Sequence, residues 1–275
     1  GSIWSSTTRS GFAFSVWDSD VANERHELFQ PELWLSWDGL EDHTIMGGID
    51  YKYREFMRNA VDSAQTQSIS GAFIKDDWAV TDELTLSGAL RADRVQDIET
   101  IFSPKVSMLW APDLPLRIRG SISRGFHAPT PQELSEVAAG HGGPHLRFGN
   151  RNLDPEYSTT YGLGIELFPG ERFEVMLYNY YSEIEDMIVP LYEGPWAVNP
   201  AKNVWRRHNV DEVGVYGTEI ELRYRISKHF RVEGGYTYTC QKASNENQQL
   251  PYEPGSNFYV KAVAQANITD DLRCR

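Results

Sequence analysis

The 275-residue sequence predicts an all-β chain, an antiparallel transmembrane β-barrel, and three observations carry that expectation. Apolar residues recur at every second position in about a dozen separate segments. The connections between those segments alternate short and long. The faces opposite the apolar ones place Arg, Lys, Glu, Gly and Ser in strand centres, while aromatic residues gather toward the ends of the apolar faces. Period two alone also fits a half-buried sheet on a soluble core. A barrel with lipid outside and water inside accounts for all three features together, whereas a soluble sandwich has no reason to sort its loops by length.

The elements follow in order. Phe12, Phe14 and Val16 share one face, and Pro31, Leu33, Leu35 and Trp37 share the next. Ile45, Gly47, Ile49, Tyr51 and Tyr53 are set against Asp50, Lys52 and Arg54. Ser68 to Val80 is ambiguous, because both of its faces mix apolar and charged residues. Leu84, Leu86, Leu90 and Ala92 oppose Thr85, Ser87, Arg91 and Asp93; Phe102, Val106, Met108 and Trp110 oppose Ser103, Lys105 and Ser107. Leu116, Ile118 and Ile122 alternate with Arg117, Arg119, Ser121 and Ser123. Tyr157, Tyr161, Leu163, Ile165 and Leu167 alternate with Ser158, Thr160, Gly162, Gly164 and Glu166. Phe173, Val175 and Leu177 come next, then Ile220, Leu222, Tyr224 and Ile226 opposite Glu219, Glu221, Arg223 and Arg225. Phe230, Val232, Tyr236 and Tyr238 oppose Arg231, Glu233, Thr237 and Gln241, and Phe258, Val260, Ala262, Ala264 and Ile268 oppose Lys261, Gln265 and Asn267.

Short turns are expected at Asp38–Asp42, Val80–Glu83, Ala111–Pro115, Phe168–Glu171 and Ile226–His229. Long polar loops are expected at Glu55–Gln67, Arg94–Thr100, Phe126–Asp154, Met187–Asn209 and Lys242–Pro254. Short turns on the periplasmic rim and long loops on the extracellular one describe an outer-membrane barrel. Trp37, Trp110, Phe168, Phe173, Phe230 and Tyr238 sit where interfacial aromatic girdles belong.

Composition narrows the function. A net charge of −13 and a pI near 5.0 argue against nucleic acid or an anionic membrane surface as a general partner. No apolar run approaches the ~18–20 residues of a membrane helix, and a mean hydropathy of −0.48 does not speak against strands that are half polar. Cys240 and Cys274 form no close pair and no metal-ligand spacing. There is no nucleophile elbow, phosphate loop or clustered metal motif, so neither an enzyme, a bound metal nor a cofactor is expected. Gly1-Ser2-Ile3-Trp4 has neither the basic start nor the apolar stretch of a signal peptide, and the chain reads as an internal fragment.

Two segments point to a family. Arg124-Gly125-Phe126-His127-Ala128-Pro129, followed by Glu133-Leu134, resembles the strand-to-loop motif of TonB-dependent outer-membrane transporters. Gly149-Asn150-Arg151-Asn152-Leu153-Asp154-Pro155-Glu156-Tyr157-Ser158, with Tyr161 and Gly164, is similar to the return motif on the next strand. Ser70–Trp78 with Thr81–Leu86, Phe102-Ser103-Pro104-Lys105 and Gly214–Glu221 fit further strands in the same order, over residues ~43 to 268. His127 departs from the family's frequent Arg there, and Arg151 from its frequent Pro. The resemblance implies a 22-stranded barrel around a plug. About 12 of those strands fall here, so residues 1–275 are expected to form a partial barrel domain without the plug and the terminal strands.

It also implies active uptake of a scarce nutrient, chiefly a ferric siderophore, driven by the inner-membrane TonB complex acting on the plug. The expected setting is the cell outer membrane of a Gram-negative bacterium, with the lipid bilayer, the receptor's own plug domain and the transported chelate as partners and no nucleic acid. Ligand contacts are expected on two extracellular loops. The first carries His127, His141, His145 and Arg147. The second, Leu191 to His208, carries Tyr192, Trp196, Trp205, Arg206 and Arg207, which could hold an anionic aromatic chelate by stacking and charge pairing. Alternatives stay open: a haem receptor using His141 or His145, a cobalamin receptor, or, outside the family, a soluble β-sheet carbohydrate-binding protein.

Overall fold

A strand exposes a row of N–H and C=O groups that hydrocarbon cannot satisfy, so period-two segments in lipid must pair with one another. The computed structural model describes residues 8–21, 24–58, 64–138, 144–227, 229–243 and 255–264, with 8–21 and 262–264 as backbone alone. In it the strands form a single thirteen-stranded sheet. They are β1 (Thr8–Val21), β2 (Glu24–Leu40), β3 (His43–Arg58), β4 (Gln65–Ala79), β5 (Leu84–Val95), β6 (Thr100–Trp110) and β7 (Leu116–His127). After a one-turn helix α1 (Pro131–Leu134) come β8 (His145–Phe148), β9 (Glu156–Leu167), β10 (Phe173–Trp196), β11 (Asn199–Ser227), β12 (Phe230–Ala243) and β13 (Gly255–Ala264). Every strand but β8 pairs antiparallel with the next, giving an uninterrupted meander of twelve whose edges are β1 and β13.

The register decides which side chains share a face. Ile49, Ala72, Ala92 and Phe102 form one cross-strand row, and Leu116, Leu167, Val175 and Leu222 form another. These apolar rows are the exposed ones: Ile49 is 59% exposed, Ile74 57%, Phe102 57% and Val106 64%. An apolar surface of that extent has no place in water and is what a lipid-facing wall requires. Trp37, Trp78 and Trp110 stand on it beside the short turns, as a periplasmic aromatic girdle.

The opposite face is charged and internally paired. Arg91 spans two strands, Nη1 lying 2.6 Å from Asp50 Oδ2 and Nη2 2.6 Å from Asp93 Oδ1. Arg119 Nε is 2.9 Å from Glu166 Oε1, with Arg117 on the same carboxylate. Arg223 bridges Glu174 at 3.1 Å and Glu221 at 2.9 Å, and Arg231 meets Glu233 at 2.8 Å. Aromatic rings lie flat on this face where the facing residue is glycine. A Cβ on Gly217 would stand 2.4 Å from the Tyr180 ring directly across the strand pair, so only glycine lets that ring lie down.

The structure corrects the sequence reading at three places. The segment Ser68–Val80 falls, up to Ala79, in one regular strand. It looked ambiguous because Ile69 and Phe73 lie on the polar face, while Asp76 lies on the apolar one. Arg94–Thr100 is a tight connection, with only residues 96–99 outside strands. Met187–Asn209 is not a loop: β10 and β11 continue through it as a hairpin turning at residues 197–198. At 24 and 29 residues these strands are more than twice the ~9–11 residues a bilayer needs. The hairpin looks like a loop in sequence because, above the membrane, nothing forces its faces to alternate. The expected strand residues Gln265, Asn267 and Ile268 lie outside the described residues.

The face assignment predicts opposite outcomes for neighbours. Val106→Arg should destabilise the protein folded in lipid vesicles by ~2–4 kcal/mol, because its charge enters hydrocarbon. Ser107→Arg, one residue on and pointing into the polar face, should cost less than about 1 kcal/mol. Denaturant unfolding followed by tryptophan fluorescence checks both.

Candidate functional site

At the rim carrying the long connections, the chain leaves β7 at His127 and folds back over the polar face. Thr130 caps α1 through a reciprocal capping box with Glu133, which ends the extended run and turns Glu133 inward. The Glu133 carboxylate then becomes a hub. It accepts from His127 Nε2 at 3.1 Å, from the Thr130 amide at 3.0 Å and from Arg207 Nη1 of the long hairpin at 3.1 Å. Burial opposes its charge, but the His127 and Thr130 hydrogen bonds and the Arg207 guanidinium outweigh it and hold the carboxyl down to about 2.

The rest of the excursion is tied at several points. Gln67 Nε2 donates to Pro129 O at 2.8 Å, and Arg58, itself paired with Glu24, donates to Val137 O at 2.6 Å. The Gly149 amide donates to Ser135 O and the Asn150 amide to Glu133 O, both at 2.8 Å. A Cβ on Gly149 would lie 2.3 Å from Glu133 O and 2.5 Å from Ser135 O, two backbone atoms that cannot step aside. That contact is the physical content of the Gly149-Asn150 motif. Asn150 and Asn209 then clip the returning chain to β11 through Arg207 O (3.1 Å) and Asp154 O (2.9 Å). β8 adds four residues in parallel to β11 between Asn203 and Arg206.

The expected ligand residues separate into three groups. His127 and Arg207 share the Glu133 hub. His145, Trp205 and Tyr192 form an aromatic run: the His145 and Trp205 rings are 6.3 Å apart edge-on, and those of Tyr192 and Trp205 are 5.6 Å apart. Arg206 lies over the Phe148 ring and pairs with Glu193 at 3.2 Å, so its charge is already answered. Arg147 is exposed on β8, and Trp196 closes β10 at the hairpin tip. His141 lies outside the described residues.

Sequence reasoning missed the residues beneath His127. A cavity of about 210 Å³ is lined by Asp50, Lys52, Arg54, Arg91 and Asp93 with Ile69, Phe126, His127 and Ala128. A second, of about 260 Å³, shares Arg54 and His127 and is lined also by His26, Glu27, Phe56 and Thr130. Arg91 is consumed by its two aspartates, but among the described residues neither Lys52 nor Arg54 forms an ion pair. Three cations therefore face two carboxylates, a local positive excess in a chain of −13. The signal was present in the alternation, which put Asp50, Lys52 and Arg54 on one face, but it resembled every other lumen face.

Comparison with known proteins bears on this arrangement. The sequence model of the family described as TonB dependent receptor-like, beta-barrel, matches residues 2–265. An iron-regulated outer membrane virulence protein of Vibrio cholerae serotype O1 is 28% identical over 184 residues, covering 64% of this chain and 28% of that protein. The vitamin B12 transporter BtuB of Vibrio vulnificus is 26% identical over 210 residues, covering 72% of this chain and 32% of the transporter. Among solved structures, the siderophore receptor PirA from Pseudomonas aeruginosa superposes with a TM-score of 0.74 at 17% identity, over 95% of this chain and 50% of that receptor. The chain thus spans less than a third of the length of the curated relatives it matches.

The hub sets a pH dependence. Its carboxyl falls from an ordinary 4.5 to about 2 on folding, so its stabilisation is complete above 4.5 and is lost as the pH drops through about 2. Residues 128–138 and 144–155 should stay protected from an acid protease at pH 4 and become cleavable near pH 2. Glu133→Gln should be cleaved already at pH 4, having lost about 3 kcal/mol of local stability.

Proposed function

The chain belongs to the TonB-dependent receptor β-barrel family, and from that premise we propose that it forms part of the wall of an active-uptake receptor for an anionic ferric siderophore. Its place is the outer membrane of a Gram-negative bacterium. In this reading residues 1–275 are one part of a 22-stranded barrel. The plug and the remaining strands belong to a longer protein, and uptake is energised through the plug by TonB. The share of the relatives' length that the chain covers supports this reading.

The observation that carries the ligand class is the pair of unpaired cations, Lys52 and Arg54, at the top of the polar face under His127. Guanidinium and ammonium groups that no carboxylate has claimed attract an anion most strongly where water is partly excluded. At about 210 and 260 Å³ the two cavities are smaller than typical whole-ligand pockets. The first, with its cation excess, suits one anionic arm of a chelate, with Tyr192, Trp205 and His145 supplying a stacking surface further out. Arg206 ties the two strands of the hairpin through Glu193, and Arg207 ties the hairpin to α1 through Glu133.

Binding of a ferric tricatecholate to the full-length receptor tests this. The double variant Lys52→Gln/Arg54→Gln should weaken binding by roughly thirtyfold to several hundredfold and flatten its salt dependence, since each of the two lost charge-assisted contacts is worth ~1–2 kcal/mol. Unchanged affinity would remove the anion reading. A Soret shift on adding haem, abolished by replacing His141 and His145, would instead support the haem alternative.

A further inference from the structure

The apolar face carries one carboxylate out of keeping with its surroundings. Asp76 of β4 lies in a cross-strand row between Ile45 and Gly88, with Ile74 two residues before it and Trp78 two after it. All of these share the lipid-facing side, and the Asp76 side chain is 42% exposed on it. Its only described partner is His43 of β3, whose Nδ1 lies 2.8 Å from Asp76 Oδ2. The other oxygen, Oδ1, is buried and has no hydrogen-bond partner among the described residues, so the exposed acceptor is Oδ2. A carboxylate oxygen has about two acceptor positions, and His43 takes one of the two on Oδ2.

The neighbours build a place for a visitor. The His43 ring stacks on the Trp78 indole at 5.6 Å with 4° between their planes, so the dyad is held at the level of the tryptophan girdle, beside the short-turn rim. Across the sheet, Gly88 leaves a notch: a Cβ there would meet nothing within 4 Å. Beyond it stands Val106, 64% exposed. Lys75 and Asp77 point to the other face, so neither serves Asp76. A carboxylate facing lipid needs a cation or a donor to offset its lost hydration. At the periplasmic interface, lipid headgroups can supply one.

We propose that the His43–Asp76–Trp78 cluster with the Gly88 notch is a binding site for an aminophospholipid of the inner leaflet. The headgroup ammonium donates to the exposed Asp76 Oδ2 beside His43, and an acyl chain lies along the notch between Trp78 and Val106. An N–H donor distinguishes this ligand from choline lipids, which have none, and from glycerol-headgroup lipids, whose net negative charge the carboxylate repels. The site rests on the membrane placement of the barrel and is independent of what the receptor transports.

The full-length receptor, delipidated in detergent and offered an equimolar mixture of phosphatidylethanolamine, phosphatidylglycerol and phosphatidylcholine, provides the test, with bound lipids counted by native mass spectrometry. The wild type should retain phosphatidylethanolamine over phosphatidylcholine by roughly five- to thirtyfold, the range of one charge-assisted hydrogen bond. Asp76→Asn should lose that preference, and so should Gly88→Leu, which fills the notch from the open side and folds irrespective of the dyad. Asp77→Asn, on the polar face, should keep it. Equal retention of the three lipids by the wild type, or a preference that survives both Asp76→Asn and Gly88→Leu, overturns the proposal.

Discussion

Backbone pairing in a solvent without hydrogen bonds governs this structure. Twelve strands meander so that each is hydrogen-bonded to its neighbours in the sheet, and no helix of the described residues is long and apolar enough to cross a membrane. Once pairing is obligatory, side chains have two directions to take. One face must be apolar because hydrocarbon lies against it; the other is released from that demand and can carry charge. The exposed Ile49, Ile74, Phe102 and Val106 and the paired Arg91, Arg119 and Arg223 are two consequences of one constraint.

The polar face is organised by closing charges against each other. Arg91 takes two aspartates, Glu166 takes two arginines, and Arg223 takes two glutamates, so side chains as well as backbone tie β3 to β5, β7 to β9 and β10 to β11. Such pairs make Lys52 and Arg54 conspicuous. These two cations, unpaired among the described residues, line the cavity under His127 where the lumen face meets the mouth, and are available there for a ligand. At the outer surface Asp76, answered by His43 alone among the described residues, is an anion on a face otherwise given to hydrocarbon.

Above the membrane the rules change. β10 and β11 outlive their neighbours, and the free flank of β11 is taken by β8. The excursion from β7 reaches that flank by crossing the mouth, and Glu133 fastens it to β7 on one side and to β11 on the other. One carboxylate therefore couples the two loops that the sequence treated as separate ligand sites. Gly149 permits it, because its amide must come against the Glu133 and Ser135 carbonyls.

The sequence by itself determined what a local period can encode: the strands, their facing, the short turns, and the family of the chain through Arg124–Pro129 and Gly149–Ser158. Lipid imposes its demand on each residue separately, so alternation can be read without knowing the partner strand. Tertiary structure decided everything that depends on register between distant segments. His127 and Arg207 were legible as candidates, but that a single carboxylate joins them was not, since 74 residues separate Glu133 from Arg207. Lys52 and Arg54 looked like any lumen charge until pairing showed which charges were already answered. The hairpin of residues 187–209 read as a loop because water accepts side chains on both of its faces. There the extended form is held by cross-strand bonds and by the β8 graft, and neither leaves a period in the sequence.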